Sequence, residues 1–103
     1  MGLFRFSRLA EADLLGIADY TLRTWGKHQV IRYLGDLEAC CKMLADNPKL
    51  GRTCDEVRSG LRRMERGRHV IFYRVNTEGI FVCRILHERM LPERQTLDDE
   101  EDP

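Results

Sequence analysis

The chain is 103 residues long, 43% hydrophobic and 33% charged, with a formal net charge of zero; this is enough for one globular core, too little for two, and too apolar for a disordered chain. No apolar run reaches the length of a membrane span, and the opening MGLFRFSRLAEADLL lacks the long apolar centre and small-residue cleavage site of a secretory signal. The expectation is a soluble, cytosolic protein with no membrane contact.

Residues 3 to 6, LFRF, form a short candidate strand, and Ser7 is placed to cap the helix that follows. That helix runs to about Trp25, with Ala10, Leu14, Ile17 and Thr21, then Leu22 and Trp25, recurring at three- and four-residue steps as one buried stripe. Gly26 supplies the stop. A second helix extends from about Lys27 to Asp46, its apolar face made of Val30, Tyr33, Leu34, Leu37, Cys41 and Leu44, and Asn47-Pro48 closes it. Trp25 and Tyr33 are expected in the core. KLGRTCDEVRSG is poorly patterned and reads as a loop leading into a strand.

Leu61 to Glu65 is a strand candidate, Gly67 a turn or bulge, and His69 to Val75 (HVIFYRV) a strand rich in β-branched and aromatic residues. Asn76-Thr77-Glu78-Gly79 supplies turn chemistry, and Ile80 to His87 (IFVCRILH) returns to complete a hairpin. The order is βααβββ, an α+β fold with a helical hairpin on one face of a mainly antiparallel sheet. Strict alternation along the last strand puts Ile80, Val82, Arg84 and Leu86 on one face, opposite Phe81, Cys83, Ile85 and His87. In the strand before it, Val70, Phe72 and Arg74 share a face. Arg74 and Arg84 each interrupt an apolar face, so that face is either left open by the helices or supplied with a carboxylate.

The four cysteines, Cys40, Cys41, Cys54 and Cys83, include no Cys-x-x-Cys pair, which argues against zinc or a redox dithiol and for reduced thiols at Cys41 and Cys83 used as small core residues. His28, His69 and His87 have no partner at ligand spacing, so no metal and no cofactor are expected. His87 ends an apolar strand and reads as a core-edge histidine bonded to backbone.

The zero net charge hides an asymmetry, because Asp98, Asp99, Glu100, Glu101 and Asp102 crowd the last six residues and the rest of the chain is +5. Arg58, Arg62, Arg63, Arg66, Arg68 and Arg74 face a single acid, Glu65, within their stretch. Such a surface attracts an acidic partner. The composition divides the chain into a single domain, 1 to 94, and an acidic tail, 95 to 103, which is either a solvated disordered end or a counter-charge folded over the arginines.

Several blocks in order carry a family resemblance: ADLLGIADYTLRTWG in the first helix, NPKLGR after the second, LRRMERGRHVIFYRV across two strands, and RILHERM at the end of the sheet. Over roughly residues 3 to 91 the chain resembles the ParE branch of the RelE/ParE toxin superfamily. The resemblance implies a bacterial type II toxin–antitoxin system of the plasmid-stabilisation kind. It also implies neutralisation by a ParD-like antitoxin and a non-enzymatic toxin that inhibits DNA gyrase, engaging the enzyme or its complex with DNA. RelE-like relatives instead cut messenger RNA on the ribosome, which requires an activated 2′-oxygen, neutralised phosphate charge and a protonated leaving oxygen. In that second reading the catalytic residues would be Arg62, Arg84 and His87; but Tyr20, Tyr33 and Tyr73 all fall inside predicted elements, and no tyrosine follows the last strand. The preferred reading has no catalytic residue and no small-molecule substrate. Its partner-binding residues are Arg62, Arg74, Arg84, His87, Glu88, Arg89, Met90 and Leu91. Met90 and Leu91 leave the sheet either as a contact site or to pack against the first helix.

Overall fold

The computed structural model describes residues 2–97. In chain order it forms β1 (Leu3–Phe6), α1 (Arg8–Trp25), α2 (Lys27–Asp46), β2 (Arg52–Thr53), β3 (Leu61–Arg66), β4 (His69–Val75), β5 (Gly79–His87) and a 3-10 turn, Pro92–Arg94. The expected elements are present, and the loop after α2 adds the two-residue strand β2. The five strands form one mixed sheet in the order β1-β5-β4-β3-β2, in which β1 runs parallel to β5 and the other pairs are antiparallel. Gly79 makes the parallel pair possible: a Cβ there would lie 2.1 Å from the Leu3 carbonyl oxygen.

Ser7 turns the chain from β1 into α1. Its backbone N–H donates to the Val82 carbonyl at 2.9 Å, its hydroxyl oxygen accepts from the Ala10 N–H at 2.9 Å, and the hydroxyl donates to the Cys83 carbonyl at 2.7 Å. One buried serine thus caps the helix and fixes its start against β5. Gly26, at φ 91°, separates the two helices.

Both faces of the sheet are covered. On one, Ala10 and Ile17 of α1 and Leu37, Cys41 and Leu44 of α2 pack on Ile71, Tyr73, Ile80, Val82 and Ile85. On the other, Val70, Phe72, Phe81, Cys83 and Leu86 lie beneath Cys54, Val57 and Leu97. This second face is covered by chain without a helix, from the β2–β3 connection and the segment after β5. Packing therefore extends to Leu97, beyond the limit of 94 expected from composition, while the run Asp98 to Asp102 lies outside the described residues.

Two expectations fail. The alternation along β5 is broken where the register slips between Phe72 and Tyr73: Tyr73 pairs with Val82 but Phe72 pairs with Arg84, leaving Cys83 as the extra residue. Ile85 consequently joins Ile80 and Val82 on the helix side, and Leu86 joins Phe81 and Cys83 on the other. The stripe of α1 is also narrower than its spacing suggests: Ala10, Ile17 and Thr21 are buried, whereas Leu22 is 48% and Trp25 69% exposed. Trp25 instead lines an open groove together with His69 and His87.

All four cysteines are buried thiols outside any disulfide. Burial, with Cys40 and Glu38 alongside, pushes the Cys41 thiol up to about 12, so it behaves as a small apolar side chain.

Candidate functional site

The charged residues singled out from the sequence do not converge on one place. Arg62 pairs across the ladder with Tyr73, on the helix side, and Arg84 with Phe72, on the opposite side. Strand β4 separates the two, so their backbones are roughly 10 Å apart. Arg62 donates to the Gly51 carbonyl at 2.6 Å and to that of Lys49 at 3.3 Å. Tyr73 braces the same loop, donating to the Pro48 carbonyl at 2.7 Å and accepting from the Gly51 N–H at 2.9 Å. Arg74 lies against Gly60 on the face away from the helices.

Arg84 meets a carboxylate of its own chain. Its Nε and Nη2 each donate to Asp13 of α1 at 2.8 Å, a two-pronged ion pair whose side chains are 12% and 14% exposed. The Ile85 N–H adds a third bond to Asp13 at 2.9 Å, and Arg84 Nη1 donates to the Thr96 carbonyl at 2.7 Å. One guanidinium thereby joins α1, β5 and the C-terminal segment, and its bonds to Asp13 hold its proton more tightly than in a free arginine. Arg58 makes a similar bond, to the Leu97 carbonyl at 3.2 Å.

The end of β5 opens on a different environment, a groove of about 870 Å³ between the helical hairpin and the β3–β4 turn. His69 and His87 face each other across the ladder with their rings edge to face at 5.5 Å. His69 Nδ1 lies 2.5 Å from the Tyr33 hydroxyl, which also accepts from the Arg68 N–H at 3.2 Å. Burial, reinforced by His87, holds His69 below the usual imidazole range, so the neutral form prevails at pH 7; the Tyr33 hydroxyl shares a hydrogen bond with Nδ1 and also lies 3.3 Å from the Arg66 carbonyl. Gly67 makes room for this latch, since at φ +60° a Cβ would lie 2.7 Å from the Tyr33 ring. His87 is a core-edge histidine whose Nδ1 accepts from the Arg89 N–H at 3.2 Å.

His87, Arg89 and Met90 line this groove. Glu88 sits 3.8 Å from Arg68, and Met90 and Leu91 are 39% and 51% exposed. Sequence reasoning missed the opposite wall, where Tyr20 is 66% exposed and Trp25, expected in the core, is 69% exposed. It also missed Asp13, although the signal was present: position 13 falls within the apolar stripe, three residues after Ala10 and four before Ile17. Among the described residues no cluster of histidine, cysteine, aspartate or glutamate could hold a metal ion.

Comparison with known proteins decides the family. The model for the ParE toxin of type II toxin–antitoxin systems, parDE, matches residues 4–92. The chain belongs to the ParE toxin family. It is 44% identical over 88 residues to Toxin ParE1 of Mycobacterium tuberculosis, covering 84% of this chain and 90% of that one. With Toxin ParE1 of Caulobacter vibrioides it shares 39% identity over 87 residues, covering 84% and 90%; with Toxin ParE of Escherichia coli, 40% over 82, covering 79% and 80%. A solved structure described as a chromosomal ParDE system from P. aeruginosa superimposes with a TM-score of 0.70 at 26% identity, covering 84% of this chain and 96% of that one. The toxin thus has the helical hairpin and mixed sheet of a ParDE toxin, and no helix among the described residues is long and apolar enough to cross a membrane.

Proposed function

We propose that this toxin acts in the bacterial cytoplasm by binding DNA gyrase rather than by catalysis, and that a ParD-like antitoxin neutralises it by direct contact. The observation that carries the reading is the Asp13–Arg84 pair. A guanidinium that is 12% exposed, with Nε and Nη2 on one carboxylate and Nη1 on a backbone carbonyl, is not available to a scissile phosphate. The other two groups that ribonuclease chemistry would recruit are also engaged, Arg62 by loop carbonyls and His87 Nδ1 by the Arg89 N–H. His87 lies on the helix side with His69, away from the side on which Arg84 pairs.

In this reading Arg62 and Arg84 brace the fold. Partner contact falls to the exposed rim at Glu88, Arg89, Met90 and Leu91, with His87 beneath it and Arg74 on the far face. An acidic, amphipathic antitoxin helix suits that rim, pairing carboxylates with Arg89 and covering Met90 and Leu91. The test compares two assays on the purified chain: gyrase supercoiling, and messenger RNA integrity in translating ribosomes. Inhibited supercoiling with intact transcripts is expected, and His87→Ala should inhibit as the parent does. Transcript cleavage that His87→Ala abolishes would overturn the proposal.

A further inference from the structure

The groove beside Trp25 carries more chemistry than a helix-docking surface needs. We infer that it is a binding site for single-stranded nucleic acid, taking bases against Trp25 and Tyr20 and phosphates at Arg68 and Arg89. Three observations converge on that ligand. First, the hairpin wall presents two large rings, Tyr20 and Trp25, that are two-thirds exposed. An exposed indole has a free π-face on which any base can stack, and stacking is the sequence-tolerant part of single-strand recognition.

Second, polar groups interrupt the mainly apolar lining between the walls. Thr21, Gln29, Tyr33, His69 and His87 contribute donors and acceptors there, against the aliphatic Ile17, Ile85 and Met90. A partner helix seats a row of apolar anchors and leaves such groups desolvated, whereas the edges of a base can bond to them. With Nδ1 of His69 engaged by Tyr33, Nε2 is the ring nitrogen left to meet a ligand.

Third, the charge is complementary. Arg68 and Arg89 line the groove, and of its lining residues only Asp13 is acidic, neutralised by Arg84. Glu88 lies 3.8 Å from Arg68, but both side chains are largely in water, so a phosphate can displace so weak a pair.

Trp25 is the sole tryptophan of the chain, so the intact protein reports its own occupancy. Titrating it with a short oligothymidylate should quench the Trp25 emission saturably. Binding should weaken with salt at a logarithmic slope of about −1.4, the value for two phosphates on a single strand. Arg68→Ala with Arg89→Ala should bring that slope close to zero, while Arg52→Ala, at a distant exposed arginine, should leave it unchanged. Trp25→Ala, followed by anisotropy of a labelled oligonucleotide, should bind about tenfold more weakly, the loss of one stacked base. A nucleoside monophosphate arm separates the sources: weaker binding than the oligonucleotide supports a strand, and equal or tighter binding shows a mononucleotide site and overturns the strand. No quenching, or equal binding of inorganic polyphosphate, would overturn the inference. None of these readings depends on gyrase, so the site stands or falls separately from the proposed target.

Discussion

Helix α1 borders two clusters of charged side chains that are organised in opposite ways. At the Arg84 corner, Asp13 receives three bonds and Arg84 supplies donors to α1 and to the C-terminal segment, with both side chains nearly buried. In the groove beyond it, Arg68 and its companion Glu88 are exposed and loosely apposed, and the neighbouring aromatic rings stand in water. The difference teaches that a guanidinium's residue type says little until its acceptors are known: burial with a fitted carboxylate makes it a structural joint, and exposure beside open rings makes it a contact.

The corner should fail hardest when cut. Arg84→Ala strands a nearly buried carboxylate and should cost about 3 kcal/mol, lowering the thermal midpoint by roughly 15 °C; urea denaturation and scanning calorimetry check both. Adding Asp13→Ala should restore part of the loss, because the orphaned charge goes with it. A double variant no more stable than the single would show that the pair is not a closed unit. Next comes the latch between them. Gly67→Ala imposes a Cβ 2.7 Å from the Tyr33 ring at φ +60° and should cost about 2 kcal/mol. Tyr33→Phe, which removes the hydroxyl bonded to His69 and Arg68, should cost about 1 kcal/mol.

Acid should loosen the same latch. The folded chain resists protonating His69, whose value lies below the ordinary 6.5 that the unfolded chain regains. Its stabilising contribution is therefore complete above pH 6.5 and is lost as the pH falls below it. The drop in urea midpoint from pH 7.5 to about 5.5 should be smaller in His69→Asn than in the parent. At the groove rim the effects on stability should nearly vanish: Trp25→Ala and Arg89→Ala should each change the unfolding free energy by less than about 0.5 kcal/mol. A large loss in either would move that residue into the structural class.

Most of the fold was legible because its signals are local. Ser7, Gly26 and Asn47-Pro48 mark the ends of the helices, and the apolar density of HVIFYRV and IFVCRILH marks the central hairpin. What escaped depends on distance. The slip that makes Cys83 the extra residue arises from pairing with β4, and no alternation within β5 reveals it. Spacing marks Asp13 as an acid on the buried stripe, but Asp13 and Arg84 are separated by 71 positions, so nothing local assigns that carboxylate to Arg84. Trp25 was misassigned for another reason: helical periodicity states which way a side chain points, and not whether a neighbouring element closes over it.

Placing β1 parallel to β5 has a consequence during synthesis. Leu3 to Phe6 are the first residues of the sheet to emerge from the ribosome, yet their ladder partners, Gly79 to Val82, are made only after both helices and the three strands between. Ser7 likewise waits for Cys83 and Asp13 for Arg84. The nascent chain can form the helical hairpin early, but the sheet closes only once β5 is out, so the fold on which the toxin's surface depends cannot be finished ahead of that strand.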